Sequence, residues 1–344
     1  MFLQNPHRGR GLPQDLGTGG MRVEADPAAA LALVDRCPKA AETPLVTAPS
    51  LATRFGIGAL FVKDERARMG LGSFKALGAA HAIARAAEQG SLDGVTFATA
   101  SAGNHGLSVA AGAQAFGAKA VIYLSETVPE AFAARLTALG ADVRREGAIY
   151  EDSMAAAAEA AEAHGWRLLS DSTWPGYLTP ARAVMEGYLI MGAEAARQIP
   201  APPTHLFLQA GVGGMAAAMA AFARQEWGDG PRIVVFEPSE APCLMESLRA
   251  GRSVVVEGAV STMGRLDCKG PSILALADLA ITADAFMTIT DAEAAETVAL
   301  LAEHGLASTP SGAGGLAGLM HGRAEDLGLG PDSRVLCFLS EAPG

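Results

Sequence analysis

The sequence predicts an α/β protein in which helices cover both faces of parallel sheets. Short apolar segments alternate with longer Ala-rich segments that have helical spacing. The continuous apolar run 206–208 is typical of a parallel strand that is buried on both faces. The chain of 344 residues exceeds what one compact core usually holds, so we expect two domains.

The alternation gives an ordered set of strands and helices. The predicted strands are 59–63, 95–99, 119–124, 167–170, 206–209, 233–237, 286–289 and 335–339. The predicted helices include 128–139, 153–164, 180–197 and 292–304. No linker separates two halves, so one domain is expected to be inserted into the other. The expected units are a loose N-terminal arm (1–20), a large domain (21–84 and 171–344) and a small mobile domain (85–170).

Composition excludes several classes of partner. The net charge of −11 argues against a broad nucleic-acid or anionic-membrane surface. No apolar run reaches the length of a membrane span, and the first 20 residues lack the apolar core of a signal peptide. Four widely spaced cysteines match no zinc pattern and favour a reducing cytoplasm. These cysteines are Cys37, Cys243, Cys268 and Cys337.

Lys75 is the first candidate for chemistry. It is one of only five lysines among 26 basic residues, and it follows a glycine-rich lead-in at the start of an apolar helix. Ser73 can cap that helix. Lysine, unlike arginine, can lose its proton and act as a nucleophile. We therefore interpret Lys75 as a Schiff-base lysine; the alternative is a side chain that extends to the surface.

Two turns offer main-chain amides to anions. The turn 101–106 follows strand 95–99, and free amides at a strand's carboxyl end suit a substrate carboxylate, unless this is an ordinary connecting loop. The turn 209–215 is glycine-rich, which lets the backbone approach a phosphate. Glu237 stands roughly where a dinucleotide fingerprint places its acid, so a nicotinamide-dependent Rossmann oxidoreductase stays open.

A fourth site precedes the last long helix. Ser311 places a hydroxyl at the start of this helix, where it would serve a ligand, cap the helix, or both. Taken in order, the four motifs resemble the fold-type II enzymes that depend on pyridoxal phosphate (PLP), the tryptophan synthase β family, which includes threonine and serine dehydratases. The most specific segments are Lys63-Asp64-Glu65-Arg66, Gly72-Ser73-Phe74-Lys75-Ala76-Leu77-Gly78, Gly103-Asn104-His105-Gly106, Asp171-Ser172-Thr173-Trp174-Pro175-Gly176-Tyr177 and Leu208-Gln209-Ala210-Gly211-Val212-Gly213.

The resemblance implies two three-layer α/β domains with PLP between them, and a role for each site residue. Lys75 would hold PLP and move the Cα proton, with Asp171 near the substrate amine. Phe74 would pack near the cofactor ring, Asn104 would bond its 3-hydroxyl, and Ser311 would face its pyridine nitrogen. The implied phosphate cradle is formed by the amides of Gly211, Val212, Gly213, Gly214 and Met215. The implied substrate contacts are Ser101, Ala102 and Gly103, which would hold the carboxylate, together with Asp171 and Tyr177.

The resemblance also implies a reaction. A hydroxyl opposite the pyridine nitrogen makes PLP a weaker electron sink than a carboxylate would, which favours β-elimination over transamination. Segments 171–177 and 208–213 favour the family's ammonia-lyases, which convert 2,3-diaminopropionate to pyruvate and ammonia. Ala102 departs from them, because they carry Asp there as a second base. The sequence Ser-Ala-Gly-Asn-His at 101–105 is instead typical of the threonine-type dehydratases.

The resemblance also leaves other activities open and implies partners. A PLP-dependent dehydratase of a 3-hydroxy amino acid (serine, threonine or 3-hydroxyaspartate) and an inactive PLP-binding regulator stay open. Glu237-Pro238 matches the divalent-cation site of the dehydratases, but Cys243 stands where they offer an acid, so no metal is expected. The expected partners are a small amino-acid substrate and, by analogy with the family, a second copy of the chain.

Overall fold

The structure is a computed structural model that describes residues 1–343, apart from the side chains of residues 150 and 151. Its strands are β1 (Phe2–Gln4), β2 (Leu45–Thr47), β3 (Ala59–Asp64), β4 (Thr96–Ala100), β5 (Lys119–Leu124), β6 (Asp142–Arg145), β7 (Arg167–Leu168), β8 (His205–Gln209), β9 (Arg232–Pro238), β10 (Ala285–Ile289) and β11 (Arg334–Leu339). Its helices are α1 (Ala28–Val34), α2 (Pro49–Arg54), α3 (Lys75–Glu88), α4 (Asn104–Ala115), α5 (Glu130–Ala138), α6 (Tyr150–His164), α7 (Thr179–Gln198), α8 (Gly214–Trp227), α9 (Cys243–Ala250), α10 (Ile273–Thr282), α11 (Asp291–Glu303), α12 (Gly314–His321) and α13 (Ala324–Leu327), with a 3-10 turn at Arg68–Gly70.

The larger sheet has seven strands in the order β1-β10-β9-β8-β11-β3-β2. Its five central strands are parallel, whereas β1 and β2 at the two edges run antiparallel to their neighbours. The central strands are almost wholly buried, as the apolar run 206–208 predicts. The α/β prediction is confirmed.

The smaller sheet is parallel and has the order β6-β5-β4-β7. All four of its strands lie within residues 96–168, inside the segment expected to form the small domain. The bounds of the two domains and the mobility of the smaller one stay predictions.

Each of the eight predicted strands is present, with ends that shift by one or two residues. Three strands were missed, namely β1, β2 and β6. They are short and largely half-buried or exposed, so they lack the apolar runs on which the prediction depended. The N-terminal arm is also less loose than expected, because Phe2–Gln4 pairs with Ala285–Met287 at the edge of the larger sheet.

Close helix packing fixes the segment that carries Lys75. Helix α3 begins at Lys75 and crosses α7 where both helices have glycines. A Cβ atom at Gly187 would lie 2.4 Å from the Leu77 carbonyl oxygen, and one at Gly78 would lie 2.6 Å from the Tyr188 ring. Only glycine permits this approach, so the start of α3 has a fixed position against α7.

The site lies where strands of both sheets end. The turn after β4 and the turns after β8 and β11 all lie at carboxyl ends of parallel strands, where ligands bind in open α/β sheets. A hydrogen bond from Asn104, the first residue of α4, to Glu341, two residues after the end of β11, joins the two sheets at this edge. Among the described residues, no helix is both long enough and apolar enough to span a bilayer.

Candidate active site

Lys75 and Asp171 form an ion pair at the centre of the site. The Lys75 ammonium donates to the Asp171 carboxylate, and about a quarter of each side chain is exposed, at 24% and 21%. Lys75 is the first residue of α3, and its main-chain N–H donates to the Ser73 hydroxyl at 3.2 Å, as predicted for a cap. The alternative in which Lys75 extends to open surface does not fit this pairing.

The segment of Asp171 is held by polar contacts to α10. The hydroxyls of Thr173 and Ser272 lie 2.7 Å apart, and the Leu274 N–H donates to the Thr173 hydroxyl at 2.9 Å. On the other side, His105 Nε2 lies 2.8 Å from the Leu169 carbonyl oxygen. These contacts fix the turn between β7 and α7, so the Asp171 carboxylate is pre-positioned toward Lys75.

The pair shifts both pKa values in opposite directions. Burial lowers the pKa of Lys75, but the charge and hydrogen bond of Asp171, together with Tyr188 and Cys268, outweigh it and hold the pKa above its usual range. Burial raises the pKa of Asp171, but Lys75 and His105, together with hydrogen bonds to the carboxylate, reverse this and hold the pKa well below its usual range. Without a bound cofactor, the side-chain amine of Lys75 is therefore protonated and paired with Asp171.

Two aromatic rings lie beside the Lys75 amine. The Phe74 ring packs edge-on against Tyr188 at 4.9 Å between centroids, and the amine lies 5.3 Å from the centre of the Phe74 ring. The sequence analysis missed Tyr188, which is 1% exposed. Burial raises the pKa of its phenol to about 12, so the hydroxyl stays neutral. Helical spacing from Thr179 marks Tyr188 only as a core residue.

The turn after β4 offers fewer free amides than predicted. The Ser101 N–H donates to Tyr123 O at 3.2 Å, and the Gly103 N–H donates to the Ser101 hydroxyl at 3.2 Å. Ala102 is exposed. Among the described residues, the amides without a partner here are those of Ala102 and of the first residues of α4, beginning with Asn104. Carboxylate binding at 101–103 stays a prediction that depends on these amides.

The glycine-rich turn after β8 ends at the N-terminus of α8. Gly213 has φ of 100°, which an L side chain rarely adopts. In the described part of the chain, the main-chain N–H groups of Gly213, Gly214 and Met215 donate no hydrogen bond. Val212 accepts from the Ser272 N–H at 3.0 Å, which anchors the turn to α10. A Cβ at Gly211 would lie 2.9 Å from Cys268 Sγ, so the turn is closely packed on its protein side.

Ser311 is oriented by main-chain contacts and does not cap α12. Its hydroxyl oxygen accepts from the Arg265 N–H at 3.1 Å, which leaves its own proton free to donate. Helix α12 has Ala313 at its N-cap, and the hydroxyl that caps this turn belongs to Thr309, which accepts from the Gly312 N–H at 3.0 Å. The capping alternative for Ser311 is therefore wrong.

Glu341 and Arg265 are site residues that the sequence analysis missed. Glu341 follows β11, is 4% exposed, and accepts a hydrogen bond from Asn104 Nδ2. Arg265 Nε lies 3.0 Å from the same carboxylate oxygen. An acid two residues after a parallel strand is a signal that was available, because residues at strand ends meet at the ligand edge of a sheet.

Two other predicted residues have their polar groups engaged. The Tyr177 hydroxyl donates to Leu168 O at 3.0 Å and accepts from the Ser170 N–H at 2.9 Å, so only its ring could face a substrate. Glu237 is fully buried, and its carboxylate accepts from the Leu244 and Met245 N–H groups, both at 2.8 Å. It is therefore not available to a ribose, which removes the structural basis of the nicotinamide alternative.

An α/β fold with a partly buried lysine near a cradle of free amides is typical of enzymes that hold a phosphorylated aldehyde cofactor. Residues 38–341 match the family described as pyridoxal-phosphate dependent enzyme, and the chain belongs to that family. PLP is thus its cofactor. The residues fit it: the phosphate would lie against the free amides at the start of α8, and the aldehyde would meet Lys75.

Curated relatives narrow the comparison. Diaminopropionate ammonia-lyase of Escherichia coli (strain K12) is 34% identical in an alignment of 274 positions that covers 74% of this chain and 69% of that protein. The Salmonella typhimurium protein of the same name is 32% identical in an alignment of 294 positions that covers 77% of this chain and 73% of that protein. L-threonine ammonia-lyase of Geobacter sulfurreducens is 28% identical over 301 residues, or 87% and 70%.

Solved structures agree over nearly the whole chain. The Escherichia coli diaminopropionate ammonia lyase in complex with an aminoacrylate-PLP azomethine reaction intermediate has a TM-score of 0.89 and 30% identity, covering 99% of this chain and 93% of that chain. The same enzyme in complex with D-serine gives 0.88 and 29%, with the same coverage. Together with the family match, these likenesses confirm the fold-type II resemblance and the PLP dependence.

Proposed function

We propose that this enzyme eliminates ammonia from the β-carbon of 2,3-diaminopropionate and yields pyruvate and ammonia. The observation that carries the proposal is the Lys75–Asp171 pair beside the amide cradle of α8. The likeness to diaminopropionate ammonia-lyases across 99% of the chain supports the choice of substrate. The reaction releases one ammonia, and the 2-aminoacrylate that remains takes up water to give pyruvate and a second ammonia.

Each site residue has a distinct role in the proposed elimination. PLP withdraws electrons from Cα when it is bound. Lys75 accepts the Cα proton, and the β-amine departs as ammonia. Asp171 favours the charged form of the diamino substrate through its negative charge. The Ser311 hydroxyl is a neutral donor, so it does not impose a positive charge on the pyridine nitrogen. Positioned acid–base groups of this kind contribute roughly 10²–10⁴ to the rate.

A second candidate is the dehydration of a 3-hydroxy amino acid, namely serine, threonine or 3-hydroxyaspartate. Ala102 supports it, because this exposed position carries no acid in a turn whose sequence is typical of dehydratases. Because position 102 carries no acid, Lys75 and Asp171 are the acid–base groups identified at the site. We therefore expect a preference between the D- and L-enantiomers of diaminopropionate.

The test starts with the cofactor and then turns to the leaving group. The purified protein should have a yellow absorbance band that sodium borohydride removes, with a pyridoxyl group mapped to Lys75. Lys75→Ala should lack the band, whereas Lys119→Ala, a change at an exposed lysine, should keep it. Keto-acid release is then compared between both enantiomers of 2,3-diaminopropionate and L-serine, L-threonine and 3-hydroxyaspartate. A colourless protein that gains no band with added PLP would contradict the proposal.

We further propose a cytoplasmic homodimer in which the small domain, 85–170, closes on substrate. Four free cysteines suit a reducing compartment. The dimer is proposed by analogy with the family, and it is tested by measuring the mass in solution with light scattering.

Closure of the small domain would exclude water until the product forms. It predicts that small-angle scattering shows compaction with a substrate analogue. An unchanged radius of gyration would contradict closure.

A further inference from the structure

The hydroxyl of Tyr188 is a buried polar group without a partner. Tyr188 lies on α7 and is 1% exposed, and in the part of the chain that the structure describes its phenol oxygen makes no full hydrogen bond. Leaving such a group unpaired is costly, and most buried hydroxyls have a partner. We therefore expect the Tyr188 hydroxyl to gain a partner in another state of the site.

Close packing holds this hydroxyl beside the Lys75 amine. The Tyr188 ring contacts α3 at Gly78, where a Cβ atom would lie 2.6 Å from it, and it meets the Phe74 ring edge-on at 4.9 Å between centroids. The Lys75 amine lies 5.8 Å from the centre of the Tyr188 ring. Burial raises the pKa of the phenol to about 12, while the charge of Lys75 and a weak contact with its amine lower it. The hydroxyl is therefore neutral, fixed in place and within reach of Nζ.

Other titratable groups face the Lys75 amine without such a contact. Besides Asp171, they are His105 on α4, Cys268 in the loop before α10, and Glu341 after β11. Their pKa values respond to the charge of Lys75 but to no hydrogen bond from it. Tyr188 differs from these three, because the Lys75 amine acts on it through both its charge and a weak hydrogen-bonding contact.

Asp171 cannot serve both of the cations that the proposed reaction brings to it. Its carboxylate is paired with the Lys75 ammonium in this structure, and the proposed function puts the substrate amine beside it as well. Lys75 becomes an ammonium again when it takes the Cα proton, at a time when Asp171 faces the substrate. A cation that loses its carboxylate in a partly buried site needs another hydrogen-bond acceptor.

We propose that Tyr188 is a positioning residue whose hydroxyl oxygen accepts a hydrogen bond from the Lys75 ammonium when the substrate occupies Asp171. The inference rests on the proposed function, because it takes Lys75 to be the group that accepts the Cα proton. By stabilising the charged form, the hydroxyl makes Lys75 a stronger base. Tyr188 acts through Lys75 and makes no contact of its own with the reacting atoms.

The test asks whether Tyr188 supports the Lys75 ammonium once Asp171 is absent. Asp171→Ala imitates the loss of the carboxylate to the substrate, and Tyr188→Phe removes the hydroxyl but keeps the ring. The rate at which PLP associates with each apoprotein is measured by stopped flow as a function of pH, because only the neutral amine of Lys75 reacts with the aldehyde. The midpoint of this dependence reports the Lys75 pKa.

We expect the effect of Tyr188→Phe to depend on the background. It should lower the midpoint by less than about 0.3 pH unit in the wild type, where Asp171 holds Lys75, but by about one pH unit in Asp171→Ala. In turnover of the substrate that the wild type converts fastest, Tyr188→Phe should lower kcat about tenfold while KM changes less than about threefold.

Tyr123→Phe is the matched control. Tyr123 on β5 is also buried, at 2% exposed, but its hydroxyl accepts from Arg144 at 3.2 Å. We expect both the midpoint and kcat to be unchanged in this variant. Circular dichroism of each variant checks that it is folded.

Two results would overturn the inference. They are equal shifts of the midpoint in the two backgrounds and an unchanged kcat in Tyr188→Phe. The association assay uses no substrate, so a wrong choice of leaving group would leave its result unaffected. A protein that binds no PLP would instead show that the proposed function itself fails.

Discussion

Gly213→Ala tests the amide cradle most directly. Gly213 has φ of 100°, and its position precedes the first turn of α8, where free N–H groups meet at one point. A Cβ atom there would lie 3.1 Å from Leu244 Cδ1 and 3.2 Å from the Ala275 methyl. Alanine therefore meets both an unfavourable backbone conformation and crowded neighbours, and the turn must move.

The expected loss of PLP affinity can be worked from these contacts. A non-glycine residue in such a conformation costs roughly 1–3 kcal/mol. If the turn relaxes to avoid that strain, at least one charge-assisted hydrogen bond from an amide to the phosphate is lost, at about 1.5–3 kcal/mol. At 1.4 kcal/mol for each factor of ten, the dissociation constant of PLP should rise about 10- to 150-fold.

Gly214→Ala is the matched control one residue further along the chain. Gly214 has no positive φ, and a Cβ atom there would lie 3.6 Å from the nearest atoms of Met185, which is ordinary contact. We expect its PLP affinity within about threefold of the wild type, since the amide is retained. The assay is titration of the apoprotein with PLP, followed by absorbance. Wild-type affinity in Gly213→Ala, or a larger loss in Gly214→Ala, would refute the reasoning.

Further predictions concern the ion pairs. Asp171→Asn should lower the Lys75 pKa, so that more neutral amine is present at pH 8 and PLP associates faster in stopped flow, while kcat falls roughly 10²–10⁴-fold; slower association would contradict this. Arg68→Leu removes the cation paired with the buried carboxylate Glu65 and leaves Glu194 with Lys63 alone, so it should cost about 3–5 kcal/mol in the free energy of unfolding by urea. Arg323→Leu, whose exposed arginine also pairs with a carboxylate, should change stability by less than about 1 kcal/mol, and an equal loss in both variants would refute the role of burial.

Local chemistry made the central residues predictable. Lys75 was predicted because a basic residue at the start of an apolar helix has no solubility role there, and the glycine turn 211–214 was predicted because its residues permit a close backbone approach. Neither prediction depends on residues that are distant in the sequence. The eight strands were predictable for the same reason, because a strand buried on both faces has consecutive apolar residues.

Contacts between residues that are far apart in the sequence were not predictable in this way. Glu341 and Asn104 are 237 positions apart in the sequence, and their contact exists only because β4 and β11 end at the same edge. Tyr188 looks like any core residue of α7 until Gly78 and Gly187 bring α3 against it. The rejection of Ser311 as a helix cap also depended on the tertiary structure, since its hydroxyl accepts from the main-chain N–H of Arg265 in a distant loop.

The sequence by itself determined the α/β class and the order of the main strands along the chain, and it predicted the residues for lysine chemistry and phosphate binding. These depend on periodicity, glycine conformation and side-chain pKa, which are properties of short segments. The tertiary structure alone decided that Lys75 is paired with Asp171, that Tyr177 and Glu237 have engaged polar groups, and that Glu341 accepts a hydrogen bond from Asn104. Such contacts depend on which strand ends meet, and no local pattern specifies that.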